Sequence, residues 1–116
     1  MKYMGSKSRI VDNILPIIQE RLRDYNIKTY IEPFCGGCNV IDKVQCDTKI
    51  ASDNHKYLIE MFKNINQIQN LPELITKEHY SDVRESFNKG SSQYPDWYIG
   101  AVGFLSSYNG RFFDGG

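Results

Sequence analysis

Two short stretches hold the residue types best suited to chemistry. In the first, an apolar run at Tyr30-Ile31 passes through Glu32, Pro33, Phe34 and Cys35 into Gly36 and Gly37; in the second, a shorter run ends as Ala51-Ser52-Asp53-Asn54. A strand that opens into a glycine turn, beside a strand that ends in a carboxylate, is the layout with which open α/β sheets hold the adenosine part of a cofactor. A dinucleotide asks for G-x-G-x-x-G, because its pyrophosphate must approach backbone amides at a helix N-terminus. This chain offers only Cys35-Gly36-Gly37-Cys38. S-adenosylmethionine has no phosphate and needs the glycines only for close backbone approach, which favours it over NAD or FAD. Asp53 can then accept hydrogen bonds from both ribose hydroxyls. The plainer alternative is an ordinary turn at Gly36-Gly37, with Asp53 capping a helix that starts at His55, since short glycine motifs often match by chance.

The cysteines admit two further chemistries. Cys35 and Cys38 form a C-x-x-C between a strand and a short helix, the spacing of a thioredoxin-like redox pair. Cys35, Cys38, Cys46 and His55 have the donor types of a tetrahedral zinc site, although the second pair is not closely spaced. The strand-first N-terminus of a thioredoxin-like fold is missing, and no metal site is expected. An odd number of cysteines without a secretion signal points to reduced thiols.

The elements that must position these residues follow from apolar spacing. Ile10, Val11, Ile14, Leu15, Ile18 and Leu22 recur at three- and four-residue steps and predict a helix capped by Ser6 or Ser8, with a kink or restart at Pro16. Thr29 to Phe34 and Lys49 to Ser52 read as short buried strands, with a brief helix over Asn39 to Val44 between them. Leu58, Met61, Phe62, Ile65 and Ile68 share one helical face, and Leu71-Pro72 ends that helix. Tyr80, Val83 and Phe87 mark another, stopped at Lys89-Gly90. Asp96 is placed to cap a last helix carrying Trp97, Ala101, Val102, Phe104 and Leu105. The order predicts an α/β fold: a parallel βαβ start, then helices in a separate subregion.

With 116 residues and 41% hydrophobic content, one domain is the ceiling. Lys+Arg and Asp+Glu balance at 14 each, so affinity for a polyanion must come from a local cluster, of which Lys2, Lys7 and Arg9 form the densest. No run approaches the roughly 20 apolar residues of a membrane helix, and the N-terminus has no apolar signal region. A cytoplasmic protein without a membrane partner is expected.

With these elements in place, the chain resembles the Dam-like family of DNA adenine-N6 methyltransferases. Lys2-Tyr3-Met4-Gly5-Ser6-Lys7 is similar to the family's N-terminal box, Glu32-Pro33-Phe34-Cys35-Gly36-Gly37 to its E-P-F-x-G-x-G cofactor motif, and Asp53 to its acidic box. Cys38 stands at the second glycine position of that motif unless Gly37 serves there. His55 stands where many members carry asparagine. Ser107-Tyr108-Asn109-Gly110-Arg111 is similar to the segment that opens the family's DNA-contacting region.

The resemblance implies a partial Rossmann-like, S-adenosylmethionine-dependent fold. Residues 1–70 would be the cofactor-binding part and residues 71–116 the helical start of target recognition. It further implies that Tyr3 packs on the cofactor, Lys7 sets a positive charge beside it, and Phe34 lines the adenosine pocket. Glu32 would face the sulfonium, with Pro33, Gly36, Gly37 and Asp53 completing the site. Tyr108, Asn109 and Arg111 would contact DNA, arginine being suited to guanine's acceptor pair. Each has a plainer alternative: a solvated lysine at Lys7, plain core at Phe34, an ion pair at Glu32, and a polar turn at Tyr108 to Arg111.

Turning an adenine out of the duplex and polarising its amine is done in the family by an Asp-Pro-Pro-Tyr type motif. The prolines here are Pro16, Pro33, Pro72 and Pro95, none adjacent to another, so no catalytic residue is assigned in this chain. The expectation is an N-terminal portion of a site-specific methyltransferase, of restriction-modification or other type, inactive alone and partnered by double-stranded DNA in the full enzyme. Self-association through an exposed sheet edge is also expected. A non-catalytic binding remnant and a C-x-x-C redox protein remain the alternatives.

Overall fold

A computed structural model of the protein describes residues 1–71, 74–91 and 93–114. Its elements are α1 (Val11–Asp24), β1 (Thr29–Glu32), β2 (Thr48–Ala51), α2 (Lys56–Lys63), α3 (Ile65–Ile68), α4 (Lys77–Asn88), α5 (Asp96–Leu105) and a 3-10 turn at Tyr108–Gly110. The chain divides into two compact units: Gly5–Asn54, and Met1–Met4 with His55–Gly116.

In the Gly5–Asn54 unit, β1 and β2 pair in parallel with Tyr30 opposite Lys49 and Ile31 opposite Ile50, part of a mixed α/β architecture with short parallel strands, as expected. The core is Val11, Val40 and Val44, with Leu15, Ile18, Leu22 and Tyr30 packed on it, so the apolar stripe of α1 meets the turns after β1 and Tyr30 of that strand. Pro16 neither breaks nor restarts α1, which runs 14 residues. Its missing N–H frees only the carbonyl of Asp12, and both residues are exposed to water. Neither Ser6 nor Ser8 caps the helix: Ile10 holds that position, and Ser6 Oγ instead accepts from the Asn39 amide at 2.6 Å and the Ser8 N–H at 3.1 Å.

Two further expectations change. The first strand is shorter than Thr29 to Phe34, the second starts and ends one residue before Lys49 to Ser52, and they are not buried: Ile31 and Ile50 are 59% and 48% exposed. Parallel strands are buried on both faces only when crossover elements cover both. Residues 39–44 form overlapping turns and no helix. Cys38 enters them at φ 61°, and the hydrogen bonds mix spans, Asp42 N–H to Cys38 O and Lys43 N–H to Val40 O, so no helical ladder sets in.

In the second unit α5 is the central element, with Ile99 to Phe104 all buried, as an apolar helix without a polar face must be. Leu58 and Met61 of α2 pack with Ala101 and Phe104; Tyr80 and Val83 of α4 pack with Ile99, Val102 and Phe113. The single helix expected from Leu58 to Ile68 is two, divided at Asn64, whose side-chain amide donates to Glu60 O at 2.8 Å and competes with the ladder. Pro72, expected to end it, lies outside the described residues. Thr76 Oγ1 caps α4 by accepting the His79 N–H at 3.1 Å, and the stop at Lys89-Gly90 is as expected. Pro95, not Asp96, holds the cap position of α5; the Asp96 carboxylate lies 3.7 Å from Lys56 Nζ instead. Among the described residues no helix is long and apolar enough to cross a membrane.

Candidate functional site

The ladder between the strands continues past both ends. Ser52 N–H donates to Glu32 O and Cys35 N–H to Ser52 O, each at 3.0 Å, which draws the glycine turn alongside the end of β2. Gly36 then takes φ 51°, a left-handed conformation that favours glycine, and points its N–H at Asp53 Oδ2 at 3.1 Å. The turn and the acidic strand end are therefore joined by a direct hydrogen bond. The N-cap position of α2 is held by His55, whose Nδ1 accepts the Leu58 N–H at 3.4 Å.

Lys7 is tied to the same turn: its Nζ donates to Phe34 O at 3.0 Å. The Phe34 side chain is 78% exposed, which removes the plain-core alternative, and Pro33 is exposed beside it. Gly36 is buried and Gly37 half-buried. Glu32 is only 8% exposed; its Oε1 accepts the Tyr30 hydroxyl at 3.1 Å, while Oε2 is buried with no hydrogen-bond partner among the described residues. Burial first, then the charge of Glu32 and the hydrogen bond to it, push the Tyr30 phenol up to about 12. Sequence reasoning did not select Tyr30, although residues two apart on a strand share a face and so pair it with Glu32.

The thiols behave oppositely to a redox pair. Burial pushes Cys35 up, and burial followed by the hydrogen bond to Cys35 pushes Cys38 up to about 12. A nucleophilic C-x-x-C thiol needs a lowered value. Cys46 Sγ lies 3.9 Å from Ile27 O, and among the described residues no three His, Cys, Asp or Glu side chains gather to hold a metal.

Tyr3 belongs to the other unit, where its ring centroid lies 5.8 Å from that of Phe104. In that unit Tyr108, Asn109 and Arg111 are all exposed, Tyr108 at 65%, and the Arg111 guanidinium lies 5.8 Å from the Tyr108 ring centroid. Arg84 of α4 lies 5.6 Å from the Tyr80 ring centroid, and the Tyr80 hydroxyl is 2.8 Å from Ser107 Oγ. No periodicity or motif in the sequence marks Arg84, and Ser107 entered only as the first residue of the segment that runs to Arg111.

The model of a family described as D12 class N6 adenine-specific DNA methyltransferase matches residues 3–104. The chain is similar to the Type II methyltransferase M.MjaIII of Methanocaldococcus jannaschii, 28% identical over 111 residues covering 79% of this chain and 38% of the relative. The chain thus spans less than two-fifths of the length of that curated relative. No solved structure matches significantly.

Proposed function

Since the chain belongs to the D12 class of N6-adenine-specific DNA methyltransferases, we propose that residues 1–70 hold S-adenosylmethionine and that residues 71–116 begin the recognition of double-stranded DNA. The observation that carries the cofactor assignment is the 3.1 Å bond from Gly36 N–H to Asp53 Oδ2, which joins the two halves of a nucleoside site.

The residues present fit the group. Buried Glu32 Oε2 has no hydrogen-bond partner among the described residues, and a buried carboxylate oxygen left unsatisfied costs about 1–3 kcal/mol, a cost that a cationic ligand centre offsets. S-adenosylmethionine, when bound, supplies an electrophilic methyl group on a positively charged sulfur. Asp53, at the end of β2 beside the glycine turn, accepts from the ribose hydroxyls. Gly36 and Gly37 admit close approach, Lys7 holds the turn through the Phe34 carbonyl, and the exposed Phe34 ring offers a face for the adenine. Glu32, its first oxygen fixed by the Tyr30 hydroxyl, directs the second toward positive charge. Tyr108, Asn109 and Arg111 contact DNA.

The reaction proposed for the whole protein is methyl transfer to the exocyclic amine of adenine. These residues contain no Asp-Pro-Pro-Tyr run, so this chain binds and does not transfer. Thermal unfolding tests the binding: S-adenosylmethionine at about 100 times its dissociation constant adds about 2.7 kcal/mol to the native state. An unchanged melting curve at millimolar cofactor contradicts the proposal.

A further inference from the structure

The corner that carries Tyr108, Asn109 and Arg111 is held in a costly conformation. Asn109 (φ 51°), Gly110 (φ 68°), Phe112 (φ 48°) and Phe113 (φ 65°) all lie in the left-handed region. For bulky residues such as phenylalanine this is an outlier, and such strain persists only where the surroundings over-determine it.

They do so here, by residues that alternate with the exposed ones. Ser107 is buried before the exposed Tyr108 and Asn109, Gly110 is buried before the exposed Arg111, and Phe113 is buried after it. Ser107 Oγ accepts the Phe113 N–H at 2.8 Å and pairs with the Tyr80 hydroxyl at 2.8 Å, so one side-chain oxygen closes the corner onto α4. The Phe112 ring sits 4.6 Å from His55, 4.8 Å from Phe104 and 5.0 Å from Phe87. Gly103 of α5 makes room for it, since a Cβ there would collide with the rings of Phe112 and Phe113. Gly110 lies against the Lys2 carbonyl in the same way.

We propose that Gly103, Ser107 and Phe112 are positioning residues that hold Tyr108, Asn109 and Arg111 in one preformed geometry for docking on DNA. Holding a contact loop rigid meets its ordering cost before the partner arrives, so the free energy of contact appears as affinity. The inference rests on the proposal that this segment contacts DNA, and it adds the residues that act through it.

The test uses the full chain and a short fluorescein-labelled DNA duplex, with affinity read by anisotropy across a salt series. Gly103→Ala would favour an ordinary helix, but here it forces the rings to move. Gly103→Ala and Ser107→Ala are expected to bind roughly tenfold more weakly, with the log–log salt slope shallower by about one, as for Arg111→Ala. Ser107→Ala combined with Arg111→Ala is expected to bind no more weakly than the weaker single variant, because both remove one contact. Ser107→Thr, which keeps the hydroxyl, is expected to restore binding. Wild-type affinity and slope in Ser107→Ala, or losses that add in the double variant, overturn the inference. If Gly103→Ala fails to fold by circular dichroism, the serine variants decide alone. Failure of the unmodified chain to bind the duplex overturns the DNA-contact proposal itself, and the inference with it.

Discussion

At Tyr30 the hydroxyl donates to Glu32 Oε1, and removing that donor leaves a buried carboxylate with both oxygens unmatched. Tyr30→Phe is therefore expected to weaken the fold at neutral pH and to weaken cofactor binding. The pair also sets an alkaline dependence. The folded value, about 12, is raised above the ordinary tyrosine value of 10.0, so the protonated phenol is the form the fold favours. Its contribution is complete below about 10 and is lost as the pH rises from about 10 to about 12. Melting temperature should fall across that window, and Tyr30→Phe should flatten the fall; an equal slope in both proteins contradicts the assignment. That the turn at Gly36 and the carboxylate of Asp53 lie side by side was legible in the sequence, because strand, turn and strand end follow one another in a fixed order. Tyr30 was passed over because a tyrosine in a strand reads as packing, and only its hydrogen bond reveals it. The exposure of Phe34 was equally hidden, since its residue type is that of a core.

Among the elements, helices were legible wherever apolar residues recur on one face, as with Leu58 and Met61 on α2 or Tyr80 and Val83 on α4. Boundaries set by a side chain or a single backbone angle were not. Asn64 ends α2 through its own amide, and Cys38 prevents a helix over residues 39–44 through a left-handed φ. Asn64→Ala should join α2 and α3, raising the helical circular dichroism signal without loss of the core; an unchanged signal would mean that packing, not the amide, sets the break. Leu58 is fully buried between α2 and α5, and Leu58→Ala should cost about 2–5 kcal/mol by urea unfolding. A cost below about 1 kcal/mol would show that the contact does not hold α2, since that is the range of ordinary surface changes. The strands were misjudged as buried because an apolar residue type says nothing of whether a second layer covers it, as Ile31 and Ile50 show.

Over the whole molecule, charge is balanced and no global field gathers DNA, so the contact proposed at Tyr108 to Arg111 has to rest on local geometry. The family was legible because several short boxes occur in the right order, although each alone is weak. The division into Gly5–Asn54 and the remainder was not, because the segment before Gly5 joins residues far along the chain, with Lys2 lying against Gly110 and Tyr3 against Phe104. A methylation assay on adenine-containing duplexes with this chain alone should give no transfer, and any turnover would show that the Asp-Pro-Pro-Tyr motif is dispensable. The most direct test of the central claim, that the glycine turn and Asp53 together hold the cofactor, is titration calorimetry with S-adenosylmethionine on the chain and on Asp53→Ala. Saturable binding by the chain that falls at least about tenfold in the variant, the size of one charged hydrogen bond, is the predicted result. Equal binding by both proteins, or none by the unmodified chain, would contradict it.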